Sequence, residues 1–363
     1  MKLQLKNYIM CSIILYARWN EVSYIDNRAD SIKKIHNIYN ENIPDVIKLF
    51  EDIEEINRME QIREDSGINM TKLVAYDNPC TMLDHCIGVA LILDKYTKEN
   101  KQVISGMLHG INLPVFNESA RHMNEKLYEK SVYDVIVGSD KLFEYFLNNN
   151  IDIKDVCDYS KYSLAKAKEN RMDADSIDNT LRNAYVLNKI NEKELKKIYD
   201  DLTITKNEDG ELEFAFDNYK IAEKFCRLSL DIARRYRSYE VKFSMKIIAT
   251  LLELMIKRNE INNEDLYKYG DRAIYEIGMN SSDKRISGGW ELLRTVDKVY
   301  TKFNPVEDKF CVKAGLEVKY VDPLVKLKGG YTRISNVSLQ MKDEITQFLN
   351  SDTDLYMFGD FVI

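Results

Sequence analysis

The runs that decide the fold are Leu83-Asp84-His85-Cys86-Ile87-Gly88-Val89-Ala90-Leu91, then Ser105-Gly106-Met107-Leu108-His109-Gly110-Ile111, then Leu113-Pro114-Val115-Phe116. They lie within residues 80–124, a stretch that holds three of the four histidines of the protein. Strongly apolar residues surround His85 and His109 and predict two consecutive buried helices, at about 85–97 and 101–110. Histidines on adjacent helices indicate a metal site carried by those helices.

The composition favours a mainly α-helical protein. The chain has 363 residues with only 5 prolines and 14 glycines, and its length predicts one large domain plus an appendage. The net charge is -7, from 52 basic and 59 acidic residues. Such a charge gives no support for broad, non-specific binding of nucleic acid, although a basic pocket within an acidic surface stays open.

The cysteines and the N-terminus indicate a cytoplasmic protein. Six cysteines lie at irregular spacing without a Cys-x-x-Cys pair, which is typical of reduced thiols. Residues 1–17 are interpreted either as a weak signal peptide or as a cytoplasmic helix packed onto the body. The apolar run there is short and interrupted by Cys11 and Ser12, so we favour the helix. No segment has the length and apolarity of a membrane span, and we expect no membrane association.

Apolar periodicity organises the rest of the chain. Further helices are predicted at about 125–148, 152–158, 173–189, 192–200, 218–237, 240–258, 263–277 and 337–350. A β-hairpin with an Asp-Gly turn is predicted between Leu202 and Phe214, and strand-like alternation covers 309–336. We therefore divide the chain into an N-terminal helical segment at 1–40, a helical domain at 41–285 and a small α+β appendage at 286–363.

The central stretch resembles the HD-domain phosphohydrolases, especially the branch related to deoxynucleoside-triphosphate triphosphohydrolases. That branch carries a pattern like Ser-Arg-x-x-His-Ser-x-Gly-Val-Ala, then Gly-Leu-x-His-Asp-Ile, then Pro-x-Phe-Ser-His. This chain reads Thr81-Met82-Leu83-Asp84-His85-Cys86-Ile87-Gly88-Val89-Ala90, then Gly106-Met107-Leu108-His109-Gly110-Ile111, then Pro114-Val115-Phe116-Asn117-Glu118. The resemblance covers about residues 40–280, and it implies an HD-type helical bundle.

A metal site is implied by the same resemblance. Its ligands correspond to His85, His109, position 110 and Asp175, the last within a run similar to the family's Asp-x-Asp-Lys-x-Asp-Tyr. Two imidazoles and two carboxylates can hold one or two divalent metals, which lower the pKa of bound water and polarise a phosphoryl group. Position 110, however, is Gly110, so the motif reads His-Gly in place of His-Asp.

Several residues around the ligands depart from the family pattern in the same direction. Met82 stands where the family has an arginine, and Glu118 stands where it has a histidine. Loss of a ligand together with its surroundings indicates a relaxed demand for hydrolysis. His122 is interpreted either as a substitute ligand or as a surface histidine. His85 and His109 themselves admit a second interpretation, as core histidines that no longer bind a metal.

Candidate substrate-binding residues also follow from the resemblance. Arg58 lies in a segment that looks like the family's Gln-Arg-Leu, and Arg182 falls in register with the arginine that follows the last aspartate. The complete candidate set is Arg58, Glu118, His122, Tyr133 and Arg182. Tyr128, Tyr133 and Tyr159 are candidates for stacking on a base, with core packing as the alternative role.

Three hypotheses about function remain. The first is a degenerate HD-domain phosphohydrolase homologue that binds a nucleotide, a phosphate ester or a protein partner with little or no hydrolysis, as a sensor or regulatory protein. The second is an active metal-dependent (deoxy)nucleotide phosphohydrolase with an altered metal shell, and the third is a scaffold that assembles through its C-terminal appendage. The cofactor is either one divalent metal (Mn, Fe, Zn or Mg) or none, and we expect a protein partner or a homo-oligomer.

Overall fold

Helices make up most of the described structure. The computed structural model describes residues 28–48, 50, 52–74, 79–123, 130–315, 319–351 and 354–362. Within these ranges, the helices before residue 160 are α1 Asp30–Tyr39, α2 Asp45–Lys48, α3 Glu54–Arg58, α4 Met82–Thr97, α5 Asn100–Leu108, α6 Asn117–Arg121, α7 Val132–Gly138, α8 Asp140–Asn148 and α9 Ile153–Val156. The later helices are α10 Ala174–Val186, α11 Glu192–Asp200, α12 Tyr219–Tyr236, α13 Tyr239–Lys257, α14 Asp271–Met279, α15 Lys284–Thr295, α16 Ile334–Val337 and α17 Leu339–Leu349.

The strands form two small sheets. They are β1 Leu202–Lys206, β2 Leu212–Phe216, β3 Tyr300–Lys302, β4 Cys311–Val312, β5 Leu324–Leu327, β6 Gly330–Arg333 and β7 Tyr356–Phe358. The strand order is β1-β2-β5-β6 in one sheet and β3-β7-β4 in the other. β1 and β2 form the predicted hairpin, with Gly210 at a positive φ of 79° in its turn. The predicted mainly α fold with a small β-containing C-terminal region is confirmed.

Helix α4 is the centre of the larger core. The Thr81 hydroxyl accepts a hydrogen bond from the Asp84 N–H, and the Asp84 carboxylate accepts one from the Thr81 N–H, which caps the first turn of the helix. Every residue from Met82 to Leu93 is buried, as expected for a helix that is apolar nearly all round. α4 packs against α1, α5 and α10.

Some predicted helix boundaries were wrong. The helix predicted over 125–148 is two helices, α7 and α8, because the Ser139 side chain caps a new start by accepting from the Leu142 N–H. Residues 124–129, including Tyr128, lie outside the described residues. The helix predicted at 263–277 starts only at Asp271, after a single 3₁₀ turn at Asp265–Tyr267.

The larger core extends across the predicted boundary between residues 285 and 286. It combines residues of the helical part with Tyr320, Val325 and Phe348 from the predicted appendage. Strand β5 also pairs in parallel with β2, where Ala215 faces Leu324. A second core cluster surrounds α13 and α15 and contains Trp290. The division into domains stays a prediction. The main-chain hydrogen bonds between β2 and β5 join the predicted helical domain to the predicted appendage.

The N-terminal prediction falls partly outside the described structure. Residues 1–27, with the short apolar run, lie outside the described residues. The rest of the predicted segment contains α1, whose Ile32, Ile35 and Tyr39 are fully buried and which packs on α4. Among the helices that the structure describes, none combines the length and the apolarity needed to cross a membrane.

Candidate metal centre

Three elements of the larger core bring His85, His109 and Asp175 together. His85 lies on α4, His109 follows the last residue of α5, and Asp175 lies in the first turn of α10. One potential ligand atom from each residue lies within 4.8 Å of the other two. The packing of α4 against α5 and α10 therefore assembles the cluster that the resemblance implied.

His85 is held between two carboxylates. Its Nδ1 lies 2.6 Å from Asp178 Oδ2, and its Nε2 lies 3.2 Å from Asp175 Oδ1. Burial disfavours protonation, but the hydrogen bonds to Asp175 and Asp178 and the charges of both carboxylates outweigh it and raise the pKa of His85 to about 9. A carboxylate that fixes Nδ1 orients the ring, so that Nε2 would bind a metal once the metal displaces the Nε2 proton.

Asp178 is the buried support of His85. It is fully buried, and its Oδ2 also accepts a hydrogen bond from Arg182 Nε at 2.9 Å. A Cβ at position 88 would lie 2.3 Å from Asp178 Oδ1, closer than atoms can approach. Gly88 therefore leaves the space that Asp178 occupies, and the glycine of the Gly-Val-Ala motif has a packing reason.

His109 has the protonation state that a metal ligand needs. Its Nδ1 lies 2.6 Å from the carbonyl oxygen of Gly106, and because a carbonyl only accepts, Nδ1 carries the proton. Burial and the nearby charge of His85 lower the pKa of His109 to about 4. The ring is thus neutral near pH 7, with its lone pair on Nε2. It packs edge-on to His85, with ring centroids 5.0 Å apart.

The cluster fits one divalent metal. Nitrogen and oxygen donors bind zinc at about 2.0–2.2 Å, so two donors of one ion lie at most about 4.4 Å apart. The candidate ligand atoms of His85, His109 and Asp175 all lie within 4.8 Å of one another, so a small movement of the side chains would bring them within reach of one ion. Burial favours the neutral acid at Asp175, but Lys166 and His85 hold its pKa well below the usual range, so this ligand is ionised. Two histidines and one carboxylate would leave open positions on a bound metal.

The space beside Gly110 is filled. A Cβ at this position would lie 2.7 Å from Met82 Cγ and 2.8 Å from Cys86 Sγ. Met82 and Cys86 occupy the positions where the resembling family has an arginine and a serine. The three departures from the motif therefore meet at one place, and the sulfur side chains take the volume that an aspartate at position 110 requires.

A cavity of about 1120 Å³ opens over the cluster. His85, His109 and Asp175 line it, together with Lys166 and Tyr159. The Lys166 ammonium contacts Asp175 Oδ2, and the Tyr159 ring packs 4.8 Å from the His109 ring. Lys166 was missed by the sequence analysis because it lies in no motif. Tyr159 was considered only for stacking.

The predicted substrate-binding residues fall into two groups. Glu118, His122 and Tyr133 line the cavity. Glu118 is paired with Arg121 at 2.8 Å. Burial, with a smaller contribution from Lys246, lowers the pKa of His122, and Tyr133 is exposed. Arg58 and Arg182 are not among the described residues that line the cavity.

Both arginines have structural partners. The Arg58 guanidinium donates to the carbonyl oxygens of Tyr269, Leu113 and Leu266 at 2.9–3.1 Å, so it joins the loop after α5 to the segment before α14. Arg182 is fully buried, and besides Asp178 it pairs with Glu64 at 3.3 Å. Among the described contacts, Asp178 links Arg182 to the candidate metal cluster. The phosphate-binding role of both arginines stays a prediction.

Comparison with known proteins identifies the fold. No protein-family model matches the chain. The uncharacterized protein YdhJ of Bacillus subtilis (strain 168) is 20% identical over 269 residues, which is 72% of this chain and 79% of YdhJ. A hypothetical protein from Aquifex aeolicus has a similar structure, with a TM-score of 0.61 and 14% identity over 87% of this chain and 92% of that chain. A phosphohydrolase from Bacteroides thetaiotaomicron VPI-5482 gives a TM-score of 0.55 and 13% identity over 87% of this chain and 96% of that chain. The chain therefore shares the fold of a protein named as a phosphohydrolase.

Proposed function

We propose that this protein is a degenerate HD-domain phosphohydrolase homologue that binds one divalent metal and a phosphate ester with little or no hydrolysis. The observation that carries the proposal is the cluster of His85, His109 and Asp175 in the wall of a cavity of about 1120 Å³. The shared fold with a phosphohydrolase supports the same class of ligand. A sensor or regulatory role follows from binding without turnover.

Each residue of the cluster has a part in this proposal. His85, oriented by Asp178, and neutral His109 are nitrogen ligands, and Asp175 is the carboxylate ligand. A bound divalent metal supplies positive charge for a phosphoryl oxygen and lowers the pKa of coordinated water. The cavity above the cluster has room for an ester of nucleotide size, since typical ligand pockets measure about 300–1,000 Å³.

The filled space at position 110 is the reason to expect weak hydrolysis. Hydrolysis of phosphate esters gains from two metals that stabilise both the attacking and the leaving oxygen. The aspartate that the resemblance implies as a further ligand at position 110 is replaced by Gly110, and Met82 and Cys86 occupy the space beside it. With three protein ligands, a single metal is the expected occupancy.

An active phosphohydrolase with an altered metal shell is the second candidate. The observation that favours it is the ligand set itself, because three protein ligands with open positions are typical of catalytic rather than structural metal sites. An acidic side chain, Glu118, and His122 also line the cavity and are available for proton transfer. A protein partner, a homo-oligomer and a cytoplasmic location stay predictions under either candidate.

The test measures metal, binding and turnover in one preparation. Metal content is determined by mass spectrometry for the unmodified protein, for His109→Ala and for the control His122→Ala, which lines the cavity outside the cluster. We expect about one metal per chain, lost only in His109→Ala, and thermal stabilisation by phosphate esters with added manganese. Phosphate release is then assayed with nucleotides and phosphomonoesters.

Two results decide between the candidates. If the unmodified protein shows turnover that disappears in His109→Ala, the active hydrolase is the correct function and the binding protein is not. A protein with no metal and no stabilisation by any phosphate ester contradicts both candidates and leaves His85 and His109 as core histidines.

A further inference from the structure

We propose that Lys166 is the phosphate-binding cation of the cavity and that its ligand is an ester with a single phosphate group rather than a triphosphate. The inference rests on the proposed function, since it assumes that the cavity binds a phosphate ester. It adds the residue that contacts the phosphate and the charge class of the ligand.

The position of Lys166 is the first argument. Its ammonium contacts Oδ2 of Asp175, while Oδ1 of the same carboxylate lies 3.2 Å from His85 Nε2. Lys166 therefore stands beside the candidate metal ligands, on the opposite side of Asp175 from His85. The Tyr159 ring lies 5.9 Å from the Lys166 Nζ, so the aromatic face restrains the long side chain.

Lys166 is also accessible from the cavity. Its side chain is 28% exposed and lines the cavity wall. A lysine ammonium has three donors, and its contact with Asp175 leaves donors available to a phosphate oxygen. No backbone movement is needed for that contact, because Lys166 reaches the site on a flexible four-carbon side chain.

The other cations of the described cavity wall either pair with carboxylates outside the candidate metal cluster or lie exposed. Arg121 pairs with Glu118 at 2.8 Å. Arg171 pairs with Asp209 and Glu211, two carboxylates of the β1–β2 turn. Lys319 lies exposed to solvent, where water weakens its attraction for a phosphate. Among the described residues of the wall, Lys166 is thus the one cation in contact with the candidate metal cluster.

The charge of the wall sets the class of ligand. Six carboxylates line the cavity against four lysine and arginine side chains. The carboxylates are Glu64, Glu118, Asp158, Glu169, Asp173 and Asp175, and the cations are Arg121, Lys166, Arg171 and Lys319. A phosphate monoester carries a charge of about −2 at pH 7, which one metal and one ammonium can balance. A triphosphate brings further negative charge toward an acidic wall, which repels it.

The experiment compares two lysines that are two residues apart. Lys166→Gln removes the proposed phosphate contact, and Lys166→Arg retains a cation. Lys168→Gln is the matched control, because Lys168 is 70% exposed, pairs with Glu211 and is not among the described residues of the cavity wall. Calorimetry with saturating manganese measures the Kd of deoxyadenosine 5′-monophosphate and of deoxyadenosine 5′-triphosphate, and metal content is measured for each variant.

We expect Lys166→Gln to weaken monophosphate binding by about tenfold or more, as for loss of one charged hydrogen bond. Lys166→Arg should recover part of the affinity, Lys168→Gln should bind like the unmodified protein, and metal content should not change. The unmodified protein should bind the triphosphate no more tightly than the monophosphate.

Each contrary result has its own meaning. If the unmodified protein binds neither nucleotide, the proposed function fails together with this inference. If it binds the monophosphate and both glutamine variants bind equally well, the role of Lys166 is wrong while the proposed function stands. Loss of metal in Lys166→Gln assigns the residue to support of Asp175 and also overturns the inference. Triphosphate binding about tenfold tighter than monophosphate binding overturns the ligand class.

Discussion

At the residue scale, the space beside Gly110 is filled by its neighbours. A side chain at this position meets Met82 and Cys86 at less than 3 Å. If a void lay beside Gly110, an aspartate could be introduced there without a steric clash. Met82 and Cys86 fill this space instead. Because interiors are close-packed, Gly110 forms one unit with Met82 and Cys86, which lie one turn apart on α4.

The Gly110→Asp variant tests this packing. We expect it to lower the free energy of unfolding by about 1–3 kcal/mol, the usual effect of overpacking, with a further loss from the buried charge. Combined with Met82→Ala and Cys86→Ala, the aspartate should be less destabilising than it is alone in the unmodified background. Urea unfolding measures each variant. Gly329→Asp is the control, because a Cβ there meets nothing within 4 Å; strictly additive effects would contradict the proposed contact.

Asp65 should make the free energy of unfolding depend on pH. It is fully buried and accepts a hydrogen bond from the Gly67 N–H at 3.0 Å. Burial, opposed by Arg63, raises the pKa of Asp65 to about 7, compared with about 3.9 in an unfolded chain. The folded state therefore binds the Asp65 proton more tightly than the unfolded state does. The resulting stabilisation of the folded protein is complete below about pH 4 and is lost as the pH rises through about 7.

The Asp65→Asn variant should remove this dependence. Asparagine keeps the acceptor for Gly67 but cannot ionise. The unfolding free energy of the unmodified protein, taken relative to Asp65→Asn, should fall between pH 4 and pH 7 by at most about 1.4 kcal/mol per pH unit. Urea unfolding at several pH values measures the difference. Asp45→Asn is the control for an exposed aspartate, and parallel curves for the unmodified protein and Asp65→Asn would refute the assignment.

At the scale of the element, α10 concentrates the polar residues of the site. Asp175, Asp178 and Arg182 recur at spacings of three and four residues, which places them along one face of the helix. Asp175 faces His85 Nε2, Asp178 holds His85 Nδ1, and Arg182 neutralises Asp178. One helix thus supplies a candidate metal ligand, the support of a second candidate ligand and the counter-ion of that support.

The first turn of α4 carries a testable cap. The Thr81 hydroxyl accepts from the Asp84 N–H at 3.2 Å, and Asp84 accepts from the Thr81 N–H at 2.8 Å. Thr81→Ala should lower the unfolding free energy by about 1 kcal/mol. Thr81→Ser should retain most of the stabilisation that the cap provides. Thermal or urea unfolding compares the two variants, and equal losses for alanine and serine would assign the effect to packing of the threonine methyl group.

At the scale of the whole molecule, the C-terminal part of the chain packs into the larger core that the earlier helices and strands form. Strands β5 and β6, more than 100 residues after β2, complete the sheet that β1 and β2 begin. Buried Glu213 of β2 pairs with Arg333 of β6, so an ion pair accompanies the main-chain hydrogen bonds. The C-terminal region is therefore integrated with the helical part through both backbone and side chains.

A chain that ends at residue 285 should consequently fail to fold cooperatively. It loses Val325 and Phe348 from the larger core and Trp290 from the second core, and exposes the edge of β2. Circular dichroism and thermal unfolding measure the loss. The control is the full chain cleaved at an engineered protease site in the exposed segment 303–305, whose two fragments should stay associated in gel filtration. A truncated chain with a sharp unfolding transition would support the predicted domain division.

The sequence by itself determined the elements that depend on local patterns. The apolar run around His85 predicted a buried helix, because a helix that is apolar all round must lie inside, and the Asp-Gly turn predicted the β1–β2 hairpin. The resemblance to the HD-domain pattern implied His85, His109 and Asp175 as ligands, and the packed helices bring these three residues together. The start of α4 was predicted three residues late, because Asp84 stands where a capping box usually has Glu or Gln.

Only the tertiary structure decided what these residues contact. Whether the space beside Gly110 is empty or filled depends on Met82 and Cys86, and the partners of Arg58 are carbonyl groups 55 to 211 residues away. Lys166 stands beside Asp175 without any motif to mark it. Patterns of three or four residues report which face of an element is buried, whereas a site is made by side chains from different elements, and their distances are fixed only when the core packs.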